Sequence, residues 1–314
     1  MADLILHHYA GSPFSEKVRL VLGMKGLRWR SVDVPVILPK PDVVALTGGY
    51  RRTPFLQIDA DIYCDSALMC RVIDRLHPEP PLYPDGVAGL AEIVAQWADS
   101  SLFWIAVPYT MQPANAAHLI GDAAPAYLKA FAADRAAMNP NLRRATLADA
   151  RAALDAYFGR LASILADGRP FLLGALPTIA DVSAAQSVWF MNRVPATAEW
   201  VRTHAAIDAW YGRVAAFGHG ERGDLSSEQA LRVAAAATDH APTHVEPGQG
   251  LAAGDEVGVV PTDYAHDEVV GQLVGLDADE IVVARRDPRA GPVQVHFPRI
   301  GFQVKARALP KDSA

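Results

Sequence analysis

The fold follows from the beginning of the chain, where residues 7–20 read HHYAGSPFSEKVRL. The mostly apolar residues 4–9 predict a short buried strand. Pro13 suits the first turn of a helix, where its missing N–H costs nothing. Gly26 then follows a helical spacing of apolar residues, as a helix C-cap does. These signals place Ser12 at a strand-to-helix turn.

The position of Ser12 favours an anion. The first backbone N–H groups of a helix have no partner within the helix, and the helix dipole adds positive potential there. Such a site accepts a phosphate or a thiolate. The turn therefore suggests thiolate chemistry without proving it.

The elements that follow have the order of a thioredoxin-like domain. Apolar periodicity predicts strands at residues 29–36, 53–58 and 62–64, and helices at residues 42–46 and 66–77. With the first strand and helix, the order is βαβαββα. A proline-rich connector interrupts the helical pattern afterwards, so residues 1–80 are predicted to form this domain.

The run SPFSEKVR at residues 12–19 resembles the first helix of the cytosolic glutathione transferases, in particular the classes that use serine. The resemblance implies that residues 1–80 bind glutathione as a cosubstrate. It also implies that Ser12 hydrogen-bonds the sulfur of glutathione, with Phe14 among the binding residues. Tyr9 is the second candidate for the catalytic role, because other classes use a tyrosine, and Ser15 is the third.

Two dipeptides extend the resemblance. In this family a cis-proline opens the third strand, and the residue before it binds the cysteinyl part of glutathione, a pattern that Thr53 and Pro54 match. Asp65 and Ser66 match the family's acidic residue and serine at the next helix. A hydroxyl and free N–H groups there bind an α-carboxylate, while the adjacent carboxylate takes the ammonium group. The structural alternatives are a strand-edge proline and a simple helix cap.

The glycine carboxylate of glutathione needs a basic partner, and the resemblance indicates Lys40. Arg52 and Arg51 are alternatives, and each of the three belongs to a residue type that is commonly solvated at the surface. The chain departs from many relatives here, because Gly48 and Gly49 stand where those carry an Asn-Pro pair. We therefore expect a mobile loop at this point.

Residues 88–222 are alanine-rich and predict an all-helical second domain. Thr178 and Asp181 have capping-box spacing, which resembles the core helix of glutathione transferase C-terminal domains. With the first domain, the resemblance covers roughly residues 4–220. The helices that face the first domain would form the pocket for the electrophile, and ordinary core packing is the alternative for each of its candidate wall residues. These candidates are Trp97, Phe103, Trp104, Tyr109 and Met111.

The C-terminal third lies outside the resemblance. Residues 223–250 predict one helix, opened by a capping box from Ser226 to Gln229, and a linker. Residues 251–314 predict five short strands and, from their number and spacing, a small β-barrel-like module. The predicted fold class is therefore multidomain α+β, with a thioredoxin-like domain, an all-helical domain and this module.

Composition argues against several classes of protein and partner. Charged residues make up 20% and apolar residues 51% of the chain, and its net charge is −6, which argues against nucleic-acid binding. No signal-peptide pattern or membrane-length apolar run occurs, so we expect a cytoplasmic protein with no membrane partner. Cys64 and Cys70 lack CxxC spacing, which argues against a disulfide framework and a metal site.

The sequence thus predicts a detoxification-type enzyme that uses the glutathione thiolate on a hydrophobic electrophile, by conjugation or by glutathione-dependent reduction or isomerisation. A thiol-disulfide reductase is disfavoured, because Ser12 stands where that chemistry needs cysteine. Relatives commonly form homodimers, so a homodimer is expected by analogy. The alternative is a non-catalytic interaction protein, in which the transferase fold is a scaffold and the C-terminal module binds a partner.

Overall fold

The first part of the chain forms the predicted βαβαββα order. A computed structural model describes residues 3–121, 123–140 and 143–307. The elements of this part are β1 (Ile5–His8), α1 (Pro13–Met24), β2 (Arg28–Asp33), α2 (Pro41–Thr47), β3 (Phe55–Ile58), β4 (Asp61–Cys64) and α3 (Ser66–Leu76). Strand β1 pairs in parallel with β2 and antiparallel with β3, which pairs antiparallel with β4. The thioredoxin-like prediction is confirmed.

The second part is helical, as predicted. Its helices are α4 (Ala88–Trp97), α5 (Phe103–Thr110), α6 (Ala116–Ile120), α7 (Pro125–Met138), α8 (Leu147–Leu165), α9 (Ile179–Asn192), α10 (Pro195–Arg202) and α11 (Ala205–Ala215). A π-helical turn, Ala98–Leu102, joins α4 to α5. Helices α10 and α11 are separate, because the backbone leaves helical geometry at His204 (φ −100°, ψ 75°). In the described part of the chain, no helix is long and apolar enough to cross a bilayer.

The capping box predicted at the start of α9 is present. The backbone N–H of Thr178 donates to Asp181 Oδ2 at 2.9 Å. Asp181 Oδ1 also accepts from the backbone N–H of Leu172 at 2.8 Å and from Trp210 Nε1 at 2.9 Å. This one buried carboxylate therefore ties the helix start to the preceding loop and to α11.

The five strands predicted for the C-terminal part are all present, and they join the first sheet. The remaining elements are β5 (Glu221–Asp224), α12 (Ser227–Ala236), β6 (Glu256–Pro261), β7 (Val269–Leu276), β8 (Glu280–Asp287), β9 (Gly291–Pro298) and β10 (Phe302–Ala306). One sheet has the order β10-β6-β7-β8-β9-β4-β3-β1-β2-β5. Strand β9 pairs in parallel with β4, with Ile62 opposite Val295. The C-terminal strands thus continue the first sheet beyond β4, and a closed barrel is not confirmed.

A shared core joins the C-terminal strands to the first domain. Leu46, Tyr50 and Ile62 of the first part belong to the same buried apolar cluster as Phe297 and Phe302 of the last. The Tyr50 ring lies 6.0 Å from that of Phe297 and 6.2 Å from that of Phe302. The C-terminal strands thus bury their apolar face partly against the first domain, which removes it from water.

The two neighbouring glycines after α2 lie beneath the C-terminal strands. Gly48 has φ 78°, which favours glycine, and a Cβ there would lie 2.7 Å from Nε of Arg285. Arg285 Nη1 donates to the carbonyl oxygen of Ala45 at 2.6 Å. This packed contact stands where the sequence predicted a mobile loop.

A buried ion pair joins the first domain to the helices. Lys17 of α1 donates to Asp99 Oδ2 at 2.5 Å, and the lysine side chain is fully buried. Gln186 Nε2 of α9 donates to Asp99 Oδ1 at 2.6 Å. The charge of Asp99 raises the pKa of Lys17 against the effect of burial, so the lysine is an ammonium ion. The packing of the two domains thus depends on a carboxylate in the π-helical turn.

Candidate functional site

The strand register brings three loops together at one end of the strands, called here the Ser12 edge. His7 of β1 lies opposite Phe55 of β3, and Phe55 lies opposite Cys64 of β4. Three loops therefore meet at the Ser12 edge: those that follow β1 and β4, and the one that precedes β3. They carry Ser12, Thr53, Pro54, Asp65 and Ser66, so the structure brings these predicted site residues together.

Ser12 is the N-cap of α1. Its backbone is extended (φ −82°, ψ 124°), its side chain is buried, and its Oγ accepts a hydrogen bond from the backbone N–H of Ser15 at 3.2 Å. Its own N–H donates to the carbonyl oxygen of Tyr9 at 3.2 Å. Because Oγ acts as the acceptor in the cap, the hydroxyl proton can be donated to an anion.

Two guanidinium groups hold the turn that carries Ser12. Arg19 donates to the carbonyl oxygen of Ala10 at 3.2 Å, and Arg193 donates to that of Gly11, also at 3.2 Å. Arg19 Nη2 further donates to Glu16 Oε2 at 2.6 Å. These contacts come from two different helices, α1 and the end of α9, and both restrain the backbone before Ser12.

The polar groups beneath this turn have fixed charges near neutral pH. Burial alone would raise the pKa of Glu16, but the hydrogen bond from His219 and the charge of Arg19 lower it. Burial, with the charge of Arg19, lowers the pKa of His8 to about 3, so this imidazole is neutral. Arg19 is therefore paired with a carboxylate and next to a neutral ring.

Tyr9 and Phe14 lie on either side of the turn. Tyr9 follows β1, is half-buried, and packs against the apolar cluster shared with the C-terminal strands. Phe14, in the first turn of α1, has its ring 4.5 Å from that of Phe103 on α5. Phe14 therefore connects the Ser12 turn to the helical domain.

The Thr53–Pro54 peptide bond is cis, as the sequence comparison with the family led us to expect. Lys40 Nζ donates to Thr53 Oγ1 and to the carbonyl oxygen of Arg51, each at 3.3 Å. Burial lowers the pKa of Lys40 to about 8, and the charge of Arg135 acts in the same direction. A cation with weak hydrogen bonds thus lies next to Thr53.

The other two basic candidates have carboxylate partners. Arg51 forms an ion pair with Asp134 of α7, and both side chains are nearly buried. Arg52 forms an ion pair with Asp263, in the connection between β6 and β7. Of the three candidates, Lys40 is the one that pairs with no carboxylate among the described residues.

Asp65 and Ser66 open helix α3. Asp65 has φ 74°, a backbone conformation that costs roughly 1–3 kcal/mol in a non-glycine residue and that clusters at functional sites. Its Oδ1 accepts from the backbone N–H of Ala67 at 2.9 Å. In the described ranges, no Lys or Arg forms an ion pair with its carboxylate. An unpaired carboxylate and a serine hydroxyl thus stand together at a helix N-terminus.

An apolar cluster lies between α1, α5 and α9, next to the Ser12 turn. It contains Phe14, Phe103, Trp104, Val107, Met111, Leu119, Trp189 and Phe190. Three of the five predicted wall residues are in it. Trp97 and Tyr109 instead pack in the helical core, against Tyr157 and Trp200, so the alternative of core packing describes these two.

The C-terminal part adds residues to this site that the sequence analysis missed. Asp263 and Tyr264 lie on the connection between β6 and β7, and both contact Arg52. The guanidinium carbon of Arg52 is 3.7 Å from the centre of the Tyr264 ring. An isolated Asp-Tyr pair between two strands carries no local signal of this contact, so sequence alone could not find it.

Two further features bear on what the site could hold. A surface groove of about 750 Å³ is lined by Leu38, Lys40, Val44 and Arg289, and its lining includes neither Ser12 nor Ser66. The described residues contain no group of three or more His, Cys, Asp or Glu side chains arranged to bind a metal ion. The chemistry available at the Ser12 edge is therefore that of hydroxyls, backbone amides, one carboxylate and one ammonium group.

Two family models match the chain. The model described as Glutathione S-transferase, N-terminal domain, matches residues 6–81, and the model described as Glutathione S-transferase, C-terminal domain, matches residues 140–213. No curated protein sequence matches it. The matched segments include the Ser12 edge of the sheet and the capping box of α9.

Solved structures extend this similarity. A GST-like protein from Pseudomonas syringae is 41% identical, with a TM-score of 0.81, and the match covers 98% of this chain and 100% of that one. A glutathione S-transferase from Rhodospirillum rubrum is 21% identical, with a TM-score of 0.50 and coverage of 68% and 87%. Human glutathione transferase theta-2, solved with glutathione, is 17% identical, with a TM-score of 0.51 and coverage of 68% and 82%. The similarity to the Pseudomonas syringae protein thus includes the C-terminal strands.

Proposed function

The chain belongs to the glutathione S-transferase family, and we propose that it is an enzyme that uses the thiolate of glutathione on an electrophilic small molecule. The observation that carries this proposal is the single sheet edge at which Ser12, the cis Thr53–Pro54 bond and Asp65-Ser66 meet. Each group there matches the chemistry of one part of glutathione.

The two ends of glutathione are assigned by charge. The carboxylate of Asp65, which pairs with no Lys or Arg within the described ranges, takes the ammonium of the γ-glutamyl group. Ser66 and the N-terminus of α3 take the carboxylate of that group. Lys40 takes the glycine carboxylate, because Arg51 and Arg52 are already neutralised by aspartates. The backbone of Thr53 pairs with the cysteinyl residue.

The chemical step needs a thiolate at the N-terminus of α1. The hydroxyl of Ser12 donates to the sulfur, and the helix dipole stabilises its negative charge, so the thiol loses its proton to solvent near neutral pH. The sulfur lone pair then forms a bond to the electrophilic carbon, and in a displacement the leaving group departs with its bonding electrons. The protein supplies no covalent nucleophile.

A calorimetric titration with glutathione tests the proposal. The wild type is expected to bind, and Asp65→Ala to lose at least about tenfold in affinity, because a charged hydrogen bond is removed. The matched control is Asp85→Ala, which removes an exposed carboxylate in the connector. Absence of binding by the wild type would contradict the proposal.

A scaffold protein without catalysis is the second candidate. The observation that favours it is the pairing of Arg52 with Asp263 and Tyr264. Arg52 is then no longer available to bind a carboxylate of glutathione. The same titration separates the two functions, because a scaffold predicts that neither wild type nor Asp65→Ala binds glutathione.

We also propose a homodimer and a cytoplasmic location. Leu90 and Ile93 on α4 are 52% and 66% exposed, an apolar pair that association would cover. Light scattering that gives the mass of one chain would contradict the dimer. The location follows from the cosubstrate, because the glutathione pool of the cytoplasm is kept reduced.

A further inference from the structure

The connection between β6 and β7, residues 262–268, is fixed to two parts of the molecule. The backbone N–H of Thr262 donates to the carbonyl oxygen of Gly301 at 2.9 Å, beside β10. The backbone N–H of Ala265 donates to the carbonyl oxygen of Met138 at 2.8 Å, at the end of α7. The connection therefore spans from the C-terminal strands to the helical domain.

Tyr264 lies in the middle of this connection and packs against Arg52, in the loop before β3. Its ring covers the guanidinium of Arg52 at 3.7 Å, and Arg52 also donates to its carbonyl oxygen. Arg52 immediately precedes the cis Thr53–Pro54 bond. Burial raises the pKa of Tyr264 to about 12, so its hydroxyl is neutral at physiological pH.

Tyr264 also contacts the helical domain. Its ring makes an edge contact with Trp104 at 5.2 Å between centroids. Trp104 contacts Phe103 at 5.0 Å, and Phe103 contacts Phe14 at 4.5 Å. A continuous row of four aromatic rings thus runs from α1, two residues after Ser12, to the C-terminal part of the chain.

We propose that Tyr264 is a specificity-determining residue of the transferase, and that its ring with that of Trp104 selects electrophiles that carry a flat aromatic group. The inference rests on the proposed function, because it places the electrophile next to the sulfur at Ser12. Aromatic faces and edges recognise other aromatic rings beyond the effect of buried area. The C-terminal strands thereby act in catalysis without carrying a catalytic residue.

The test compares two ligands, glutathione and S-benzylglutathione, by calorimetry. The wild type is expected to bind the benzyl conjugate about three- to tenfold more tightly than glutathione, as one added aromatic contact allows. Tyr264→Leu keeps apolar bulk but removes the ring, so it should lose this difference and keep the affinity for glutathione. Tyr264→Phe restores the ring and should retain the difference.

Two further variants make the test specific. Trp104→Ala should lose the same difference, and combined with Tyr264→Leu it should lose no more, because the rings act together. The control is Asp267→Ala, on the same connection, whose side chain makes no hydrogen bond or ion pair among the described residues and which should bind both ligands as the wild type does.

Three outcomes overturn the inference. If Tyr264→Leu still prefers the benzyl conjugate, the ring does not determine specificity. If Tyr264→Leu binds glutathione itself more tightly than the wild type, the connection obstructs the cleft and does not line it. If the wild type binds neither ligand, the proposed function fails and the inference fails with it, a result that differs from both others.

Discussion

The near face of the proposed cleft, formed by the loops of Ser12, Thr53 and Asp65, comes from one domain, whereas the far face, formed by Trp104 and Tyr264, comes from two distant segments. On the near face, strand register alone brings the three loops to one edge. On the far face, the rings meet because the helical domain and the C-terminal strands both pack on the first domain. The groups proposed to bind glutathione thus depend on local structure, and the groups proposed to select the electrophile depend on packing between domains.

The largest effect is expected where this packing is broken. Asp99→Ala leaves the ammonium of Lys17 buried without its partner, which should lower the free energy of unfolding by about 3–5 kcal/mol in urea titrations. The control is Asp167→Ala, which removes an exposed ion pair with Arg169 and should leave the urea concentration at the midpoint of unfolding unchanged. The double variant Lys17→Met/Asp99→Leu should recover much of the loss. An Asp99→Ala protein as stable as the wild type would refute the role of this pair.

The next effect concerns the near face. Ser12→Ala removes the donor to the sulfur, so kcat should fall by about 100-fold, while the dissociation constant for glutathione changes by less than about threefold. Steady-state kinetics with 1-chloro-2,4-dinitrobenzene and a glutathione titration give the two values. Ser15→Ala is the matched control, since the buried Oγ of Ser15 has no hydrogen-bond partner in the described part of the chain. Unchanged kcat in Ser12→Ala and a large loss in Tyr9→Phe would assign the role to Tyr9.

A smaller effect tests how the C-terminal strands are attached. His296 of β9 lies within 3.3 Å of Asp61 Oδ1 and 3.1 Å of Glu280 Oε2. Burial opposes its charged form, but the hydrogen bonds with these carboxylates prevail and raise its pKa above 6.5. Because the folded pKa is raised, its stabilisation is complete below pH 6.5 and is lost as the pH rises through the folded value.

The variant that tests this attachment is His296→Gln. Near pH 6 its free energy of unfolding should be about 1–3 kcal/mol lower than that of the wild type, as expected for the loss of a charged hydrogen bond. The difference should shrink as the pH rises, and also at acid pH, because the pKa values of Asp61 and Glu280 are lowered and their protonation there removes the partner charges. A difference that does not vary with pH would show that His296 acts only through packing.

The smallest effect concerns the glycine end of the cleft. Lys40→Met should weaken the binding of S-methylglutathione, which has no thiol to titrate, by about three- to tenfold. In the wild type this affinity should fall as the pH rises through about 8, because the ammonium of Lys40 is lost. The variant should lack this inflection. Lys129→Met, at an exposed position of α7, is the control, and an inflection that persists in Lys40→Met would contradict the assignment.

The near face and most elements could be predicted from the sequence because their signals are local. The turn at Ser12 follows from a small-residue turn before a proline, and the start of α3 follows from an acidic residue and a serine before an apolar helix. The five C-terminal strands follow from alternation of apolar residues. Each of these features is determined within a few residues of chain.

Pairing over long distances could not be predicted in the same way. A strand pattern does not say which sheet edge the strand joins, so the pairing of β9 with β4 could not be predicted. The partners of Arg51 and Arg52 lie on α7 and on the β6–β7 connection, far away in sequence, and no local motif predicts these ion pairs. Strand β5 was missed because it is short and polar and depends on β2 for its hydrogen bonds.

The pairing of β9 with β4 has a consequence for biosynthesis. The outer hydrogen-bonding groups of β4 belong to residues made early, and the strand that covers them is made near the end of translation. Until then the nascent chain presents an uncovered strand edge, the kind of surface on which polypeptides aggregate. A chain stopped after the helical part would keep that edge, so chaperone dependence is expected to rise when the message is truncated before the codons for β9.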